Sequence, residues 1–303
     1  VGYPSDQDFE EARRRREPPS IPPSTTNEIK CLDHGYVKLI ESWGSDERIV
    51  EAARMSTNKG FLGWGPQCAK CNGNEWVAVR RHEYIYIRDA ESYAISREKY
   101  PDVMPACVTC KSTETKSGDE KLLKYLWDNK HATPFEMAGF VIEVQAPIET
   151  FRQWHRHRTQ SYNEMSARYT PLPDMNYIPS VERLMMINQA NKQAGTIKGA
   201  EELTVERAQQ FRQELKLIYD HAEALYQQAL SFGVSKELAR IHLPVGRYSR
   251  MRASANLRNW LAFLTLRMDE HAQWEIRQFA NAVGVFVQQT FPHTWELFSK
   301  VSF

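Results

Sequence analysis

Residues 153–169 read Gln-Trp-His-Arg-His-Arg-Thr-Gln-Ser-Tyr-Asn-Glu-Met-Ser-Ala-Arg-Tyr, and they constrain the fold more than any other stretch. Three arginines and two histidines share this run with a single acid, Glu164. A buried arginine needs a paired anion, so the run cannot be packed into an apolar interior. The chain must carry it at a surface or line a pocket with it. Guanidinium forks match phosphate oxygens two at a time, and the run interleaves them with Asn163, Glu164 and Ser166. It reads as a pocket for a phosphate-bearing ligand, with a solvated basic turn as the plainer alternative. Gln153 and Arg156 are three apart and share one face of a helix. Glu164, Ser166 and Arg168 alternate, so an extended segment aims all three the same way.

At 303 residues the chain can form one large domain, or a core plus an insertion. Thirty-nine basic and 38 acidic side chains nearly cancel, so any anion site has to be local. No run of about 18 apolar residues suggests a membrane span, and the amino terminus carries no apolar leader core. A soluble, cytoplasmic protein is expected. Residues 1–27, with Arg13–Arg16 and the proline-rich Pro18–Ser24, read as a flexible or polyproline-like tail. Contact of its arginines with nucleic acid or a partner is the alternative.

Gly35–Trp43 reads as a strand, and Ser45 caps a helix over Asp46–Met55. Asp119 opens a helix with Leu122, Leu123, Leu126 and Trp127 at helical spacing. Phe140–Ala146 alternates like a half-buried strand, ended by Pro147, and Ile148–His155 starts another helix. Residues 203–232, 235–242, 253–268 and 272–290 are further expected helices. On the third of these, Leu257, Leu261, Leu264 and Met268 form a core stripe. Asn256, Trp260, Phe263 and Arg267 run beside it. An arginine on so apolar a face needs an anionic partner, and Asp269 and Glu270 are available.

Four ordered blocks carry a family resemblance. Arg156-His157-Arg158, seven residues, then Ser166 form one; His131-Ala132-Thr133-Pro134-Phe135-Glu136 lies upstream. Ala239-Arg240-Ile241-His242-Leu243-Pro244 and Leu266–Ile276, with Arg267 and His271, lie downstream. Together they resemble the flavin-dependent thymidylate synthases. The resemblance implies an α+β, thymidylate synthase-complementing fold, a mixed sheet packed with long helices, assembled as a homotetramer with sites at subunit interfaces. It implies reductive methylation of the pyrimidine deoxynucleotide dUMP to dTMP, with 5,10-methylenetetrahydrofolate, NADPH and FAD. A pyrimidine-nucleotide hydroxymethylase is the alternative within the fold, and a zinc-bearing nucleic-acid-binding protein on an inactive scaffold is the alternative of another class.

By the same resemblance Gln153, Arg156, Glu164, Ser166, Ala167, Arg168 and Arg240 bind the nucleotide, Arg240 from another subunit. Arg267 is the catalytic arginine, set against the pyrimidine to stabilise developing negative charge. Flavin falls to Thr133, Arg156, His157, Arg158 and Glu164, with Ser56, Asn256, Arg258 and His271, and His131 near flavin and folate. The chain has no Gly-x-Gly-x-x-Gly after a strand, so no Rossmann site is expected. Cys31 reads as structural, and Ser166 has no general base beside it and is assigned to binding. Ala167 stands where the family has glycine, Ala262 where relatives carry Asn, and Met251-Arg252-Ala253 where the stretch is usually aromatic.

Residues 57–116 stand where the family has a short connection, dividing the catalytic domain into 28–56 and 117–303. They contain Cys68-Ala69-Lys70-Cys71 and Cys107-Val108-Thr109-Cys110. Two such knuckles can supply four thiolates to a tetrahedral zinc, and Gly73 suits a knuckle's tight turn. Redox pairs and disulfides compete, the latter disfavoured in a cytosolic setting. Trp76, Arg80, Arg81, Tyr84 and Tyr86 on such a ribbon offer a nucleic-acid contact as a lesser alternative.

Overall fold

The structure is a computed structural model describing residues 27–80, 83–87, 90–99, 104–186 and 201–300. The tail reading, apart from Asn27, lies outside these residues.

The apolar alternation around Phe140 builds the centre of the molecule. Strands β1 (Glu28–Cys31) and β2 (Gly35–Trp43) form a hairpin, and helix α1 (Asp46–Arg54) follows, its Ser45 Oγ accepting from Arg48 N. The chain then makes its excursion. It contains β3 (Gln67–Cys68), β4 (Trp76–Arg80), β5 (Glu83–Ile87), α2 (Ala90–Lys99), β6 (Ala106–Cys107) and β7 (Thr115–Lys116). These form two small sheets, β3–β7 and β5–β4–β6. After α3 (Glu120–Asp128) the central strand β8 (Gly139–Pro147) enters, then α4 (Ile148–Trp154), β9 (Ser161–Glu164), α5 (Val181–Met185), α6 (Val205–Ser231) and α7 (Lys236–Ala239). Strand β10 (Tyr248–Asn256), α8 (Leu257–Arg267), α9 (Trp274–Thr290) and α10 (Pro292–Lys300) complete the fold. Asp46 accepts the N–H groups of His293 and Thr294, which satisfies donors in the first turn of α10.

The main sheet runs β1-β2-β8-β10-β9. Its α+β class matches expectation, but every pairing is antiparallel, so the expected mixed sheet is corrected. Neighbouring strands reverse through hairpins and long excursions, and among the described residues no parallel crossover unit arises. Phe140, Ile142 and Val144 bury one face of β8 against α8 and α9, and Phe140 stacks on Trp260 with centroids 4.8 Å apart.

One expected helix is shorter than expected. Residues 253–256 belong to β10, and α8 starts at Leu257 with Asn256 Oδ1 accepting from Asn259 N at 3.0 Å. Ala253 and Ala255 favour helix intrinsically, but they pair with Ile142 and Phe140 across the sheet and are buried there. Tertiary pairing overrides local propensity. Leu257, Leu261 and Leu264 are buried and Met268 packs against them, so the core stripe stands. Asp119 precedes α3 but does not cap it; its carboxylate binds Arg54 and Leu62 N. Among the described residues no helix is long and apolar enough to cross a membrane.

Candidate active site

Trp154, fully buried at the end of α4, turns the chain outward. Its indole donates to Gln160 Oε1 at 3.0 Å, and the Tyr162 hydroxyl donates to the Trp154 and His157 carbonyls at 3.2 and 2.7 Å. Residues 155–160 are thus a loop closed at both ends by aromatic side chains. Helix α8 fastens it from the other side: Asn259 Nδ2 donates to Thr159 O at 3.1 Å, and the His157 ring meets Phe263 edge-on at 4.9 Å.

Arg267 sits at the last turn of α8. Its Nε donates to His157 Nε2 at 2.8 Å and its Nη2 to the Gln153 carbonyl at 3.1 Å. These bonds go to an imidazole and a carbonyl, not to the carboxylate partner anticipated from Asp269 or Glu270; Asp269 accepts instead from His271 N and lies 2.8 Å from His271 Nδ1. Accepting from a guanidinium requires Nε2 to be unprotonated. Burial and the Arg267 charge push His157 down to about 4, so it is neutral near pH 7. Burial, reinforced by the nearby Arg156 charge, also lowers Arg267 from its ordinary value. A guanidinium has five N–H donors, so donors remain for an anionic ligand.

A second network positions Gln153. Its side-chain amide donates to Gln273 Oε1, and Gln273 donates to Glu275 at 2.8 Å. Glu275, 3% exposed, also accepts from Tyr177 at 3.0 Å and from Arg183 Nε and Nη2 at 2.7 and 3.2 Å. Burial would raise this carboxyl, but bonds from Arg183 and Gln273 and the Arg183 charge outweigh it and hold it below its ordinary value. Sequence reading assigned no role to Gln273, Glu275, Tyr177 or Arg183. The available signal was an acid, Glu275, one residue before Ile276 in an apolar helix, since a buried carboxylate requires donors.

The remaining expected residues fall into two groups. Glu164 ends β9 opposite Met251, and Ser166 Oγ accepts from Arg168 N at 3.3 Å. Arg168 pairs loosely with Glu237 at 3.7 Å, both side chains exposed, and Lys236 donates to Tyr169 O, which brings this loop to α7 and the turn holding Arg240. Gln153 ends on helix, but Arg156 lies just past it, its N–H reaching Gln153 O at 3.3 Å, so they share a turn and not a helical face. Ala167 is 3% exposed, so its methyl group is covered by protein.

The other group gathers at the opposite end of α8. Arg258 pairs with Glu136, and the turn Thr133–Met137 packs on α1 and α8. His131 meets Tyr125 edge-on at 5.6 Å, and Ser56 Oγ donates to Ala53 O at 3.1 Å. Nine residues separate Arg258 from Arg267, a rise of roughly 14 Å along the helix. The Arg156, Arg158 and Arg240 side chains have no hydrogen-bonded or ionic partner among the described residues. Free guanidiniums on a braced loop fit the phosphates of a nucleotide and of a flavin dinucleotide.

Elsewhere, Cys31 is buried and its thiol is pushed up to about 12, which suits a structural role. The sulfur atoms of Cys68, Cys71, Cys107 and Cys110 lie within 4.8 Å of one another, and all four are free thiols. Asn72, not Gly73, takes the left-handed conformation of the first knuckle. Gly73 is needed for space: a Cβ there would lie 3.2 Å from Cys107 Sγ and 3.3 Å from Cys71 Sγ. Trp76 is buried and donates to Pro66 O, so it is not available for base stacking. Arg81 and the side chains of Arg80, Tyr84 and Tyr86 lie outside the described residues.

The family model described as "Thymidylate synthase complementing protein" matches residues 38–293. The chain is 32% identical to the flavin-dependent thymidylate synthase of Thermosipho melanesiensis, over 91% of this chain and 95% of that one. It is 31% identical to that of Thermus thermophilus, over 90% and 78%. The crystal structure of the UMP/dUMP methylase PolB from Streptomyces cacaoi, bound with 5-Br dUMP, superposes with a TM-score of 0.63. It shares 27% identity over 90% of this chain and 98% of that chain. With Arg156-His157-Arg158 braced against Arg267 and a match spanning residues 38–293, the chain belongs to the thymidylate synthase complementing protein family.

Proposed function

We propose that this protein catalyses the flavin-dependent reductive methylation of dUMP to dTMP, with 5,10-methylenetetrahydrofolate as carbon donor and NADPH as reductant. The observation that carries this reading is Arg267, held by neutral His157 and the Gln153 carbonyl beside the free Arg156 and Arg158 guanidiniums. In this reading Arg156, Ser166, Arg168 and Arg240 hold the nucleotide phosphate, and Gln153 and Glu164 meet its sugar or base. Arg267 sets a fixed positive charge against the pyrimidine's N3–C4 edge. Negative charge developing there is stabilised, and C5 becomes nucleophilic without a covalent bond to the protein. That agrees with the cysteines, since Cys31 is buried and the other four are gathered in the excursion.

FAD, when bound, supplies hydride drawn from NADPH. His157, Arg158, Thr133, Asn256, Arg258, His271 and Ser56 are its assigned partners, with His131 beside flavin and folate. The same reading assigns a homotetramer in the cytoplasm, residues 57–116 as an inserted module, and a zinc ion on its four cysteines.

Purified protein incubated anaerobically with dUMP, methylenetetrahydrofolate and NADPH is expected to yield a nucleotide heavier by one methyl group. A hydroxymethyl product would replace this reading with the hydroxymethylase, and unchanged nucleotide would overturn both. Salt-sensitive DNA binding by a flavin-free protein would instead favour the nucleic-acid-binding alternative.

A further inference from the structure

We propose that the four-cysteine cluster is a closed structural zinc site whose metal braces the Ser56 and Thr133–Met137 end of the active site. The proposal rests on the zinc assignment above and adds what the ion does. The geometry of the cluster supports the metal. Zn–S bonds of about 2.3 Å place tetrahedral sulfurs about 3.8 Å apart. Across the two knuckles, Cys68 and Cys110 stand 3.4 Å apart and Cys71 and Cys107 3.5 Å apart.

The knuckles repeat one another. Asn72 N donates to Cys68 O and Lys111 N to Cys107 O, with Asn72 and Lys111 both left-handed. Cys68 N reaches Gly73 O at 2.8 Å, and Cys107 N reaches Ser112 O at 2.9 Å. Cys68 and Cys107 are fully buried and Cys71 and Cys110 partly so, which leaves no open coordination position of the kind a catalytic zinc keeps.

The ion would add four bonds between two sheets that already share a small buried cluster of Cys68, Trp76 and Cys107. Cys68 lies on β3, paired to Thr115 of β7, and Cys107 lies on β6, paired to Trp76 of β4. The β3–β7 pair leads straight into the stem on which the excursion meets the catalytic domain. There Leu62 N donates to Asp119, Asp119 N to Gly63 O, and Gly65 N to Glu120. A Cβ on Gly118 would collide with the Gly65 carbonyl, so the two stem strands touch backbone to backbone. Asp119 pairs with Arg54 at the end of α1, and Trp64 donates to Glu47 of α1 while stacking on His293 at 4.0 Å. Helix α1 passes directly into the Met55–Thr57 turn that carries Ser56, and the Thr133–Met137 turn packs on it. Metal, stem, α1 and both turns form one continuous chain of contacts.

Coupling of this kind is reciprocal: if metal strengthens flavin binding, flavin strengthens metal binding by the same factor. The test starts from metal-loaded protein. Metal analysis should give one zinc per chain, and cobalt exchanged into the site should show sulfur-to-metal charge-transfer absorption. Chelation should then weaken flavin binding about fivefold or more, and saturating flavin should slow metal loss correspondingly. Hydrogen exchange should rise at residues 47–57 and 293–295 on stripping, and stay unchanged at 153–158. Trp64→Leu leaves every thiol in place and should keep its zinc while losing flavin affinity.

Protein that holds no metal, or whose flavin affinity and exchange at 47–57 are unchanged after stripping, overturns the proposal. These readouts do not require turnover, so their failure is distinct from failure of the thymidylate reaction.

Discussion

Replacing Glu275 by glutamine removes the carboxylate to which Arg183, Tyr177 and Gln273 all donate, and leaves Glu149, 3.4 Å from Gln273 Nε2, as the remaining acid beside them. The side chains of Glu275 and Arg183 are 4% and 23% exposed, so solvent compensates little for the lost charge. Breaking a buried pair by removing one partner costs about 3–5 kcal/mol. The glutamine carbonyl still accepts one bond, which places the expected loss near the lower end, about 3 kcal/mol. For 303 residues the unfolding entropy is roughly 0.6 kcal/mol per degree, so the melting midpoint should fall by about 5 °C. The variant should also raise the KM for dUMP more than it lowers kcat, because Gln273, left with its longer bond to Glu149 and a neutral acceptor, holds the Gln153 side chain less firmly while the Gln153 carbonyl still meets Arg267.

The sign of the pH dependence is fixed. The folded carboxyl lies below its ordinary value of 4.5, so the folded state binds fewer protons there. Its stabilisation is fully present above the unfolded pKa and is lost as pH falls through the folded one. The gap between wild type and E275Q should therefore be widest at pH 7 and close in acid. A midpoint shift below about 1 °C, a gap that persists in acid, or an unchanged dUMP KM would refute the reasoning.

Arg267→Ala should lower turnover roughly 100- to 1000-fold, the usual loss when a fixed transition-state charge partner is removed, with flavin still bound by absorbance; near-normal turnover would remove its catalytic assignment. His157 is held down at about 4 by burial and the Arg267 charge, against an ordinary 6.5. The unfolded chain takes up the extra proton between those values, so stability should fall as pH drops from about 6.5 toward about 4, while activity, which follows the folded imidazole, should fall only as pH approaches about 4. His157→Asn, which cannot titrate, should flatten that part of the profile, and an unchanged profile would show that another group controls it.

What was legible in the sequence follows from the range of the interactions involved. The alternation of Phe140, Ile142 and Val144 is a local property, and β8 lies where it places it. The cysteine knuckles were legible because both spacings are short and thiols have few other uses in that pattern. The family was legible in four ordered blocks, the 153–169 run among them, and the family model spans all four. Strand β10 was not, because alanines at 253 and 255 acquire their strand conformation only from β8, more than a hundred residues earlier. The Glu275 network was hidden for the same reason: Arg183 lies 92 residues from Glu275, and Gln153 lies 120 from Gln273. No local pattern records such pairings.

The same distance problem governs Arg240, and it yields a decisive experiment. Ile241, beside it, is 82% exposed, and Phe232, Leu238 and Tyr169 of the surrounding segments are exposed as well. Exposed large apolar side chains gathered in neighbouring segments are what a contact with another protein surface would cover. If that surface is a second copy, Arg240 completes the site of a neighbouring chain and not its own. Arg240→Gln and Arg267→Ala subunits are then each inactive alone but complementary when co-expressed. A site that draws Arg267 from one chain and Arg240 from another is intact about a quarter of the time in a random mixture of equal parts. Roughly that share of wild-type turnover should return. A mixture no more active than its separate parts would show that Arg240 does not act across an interface, and its free guanidinium would need a ligand bound by its own chain.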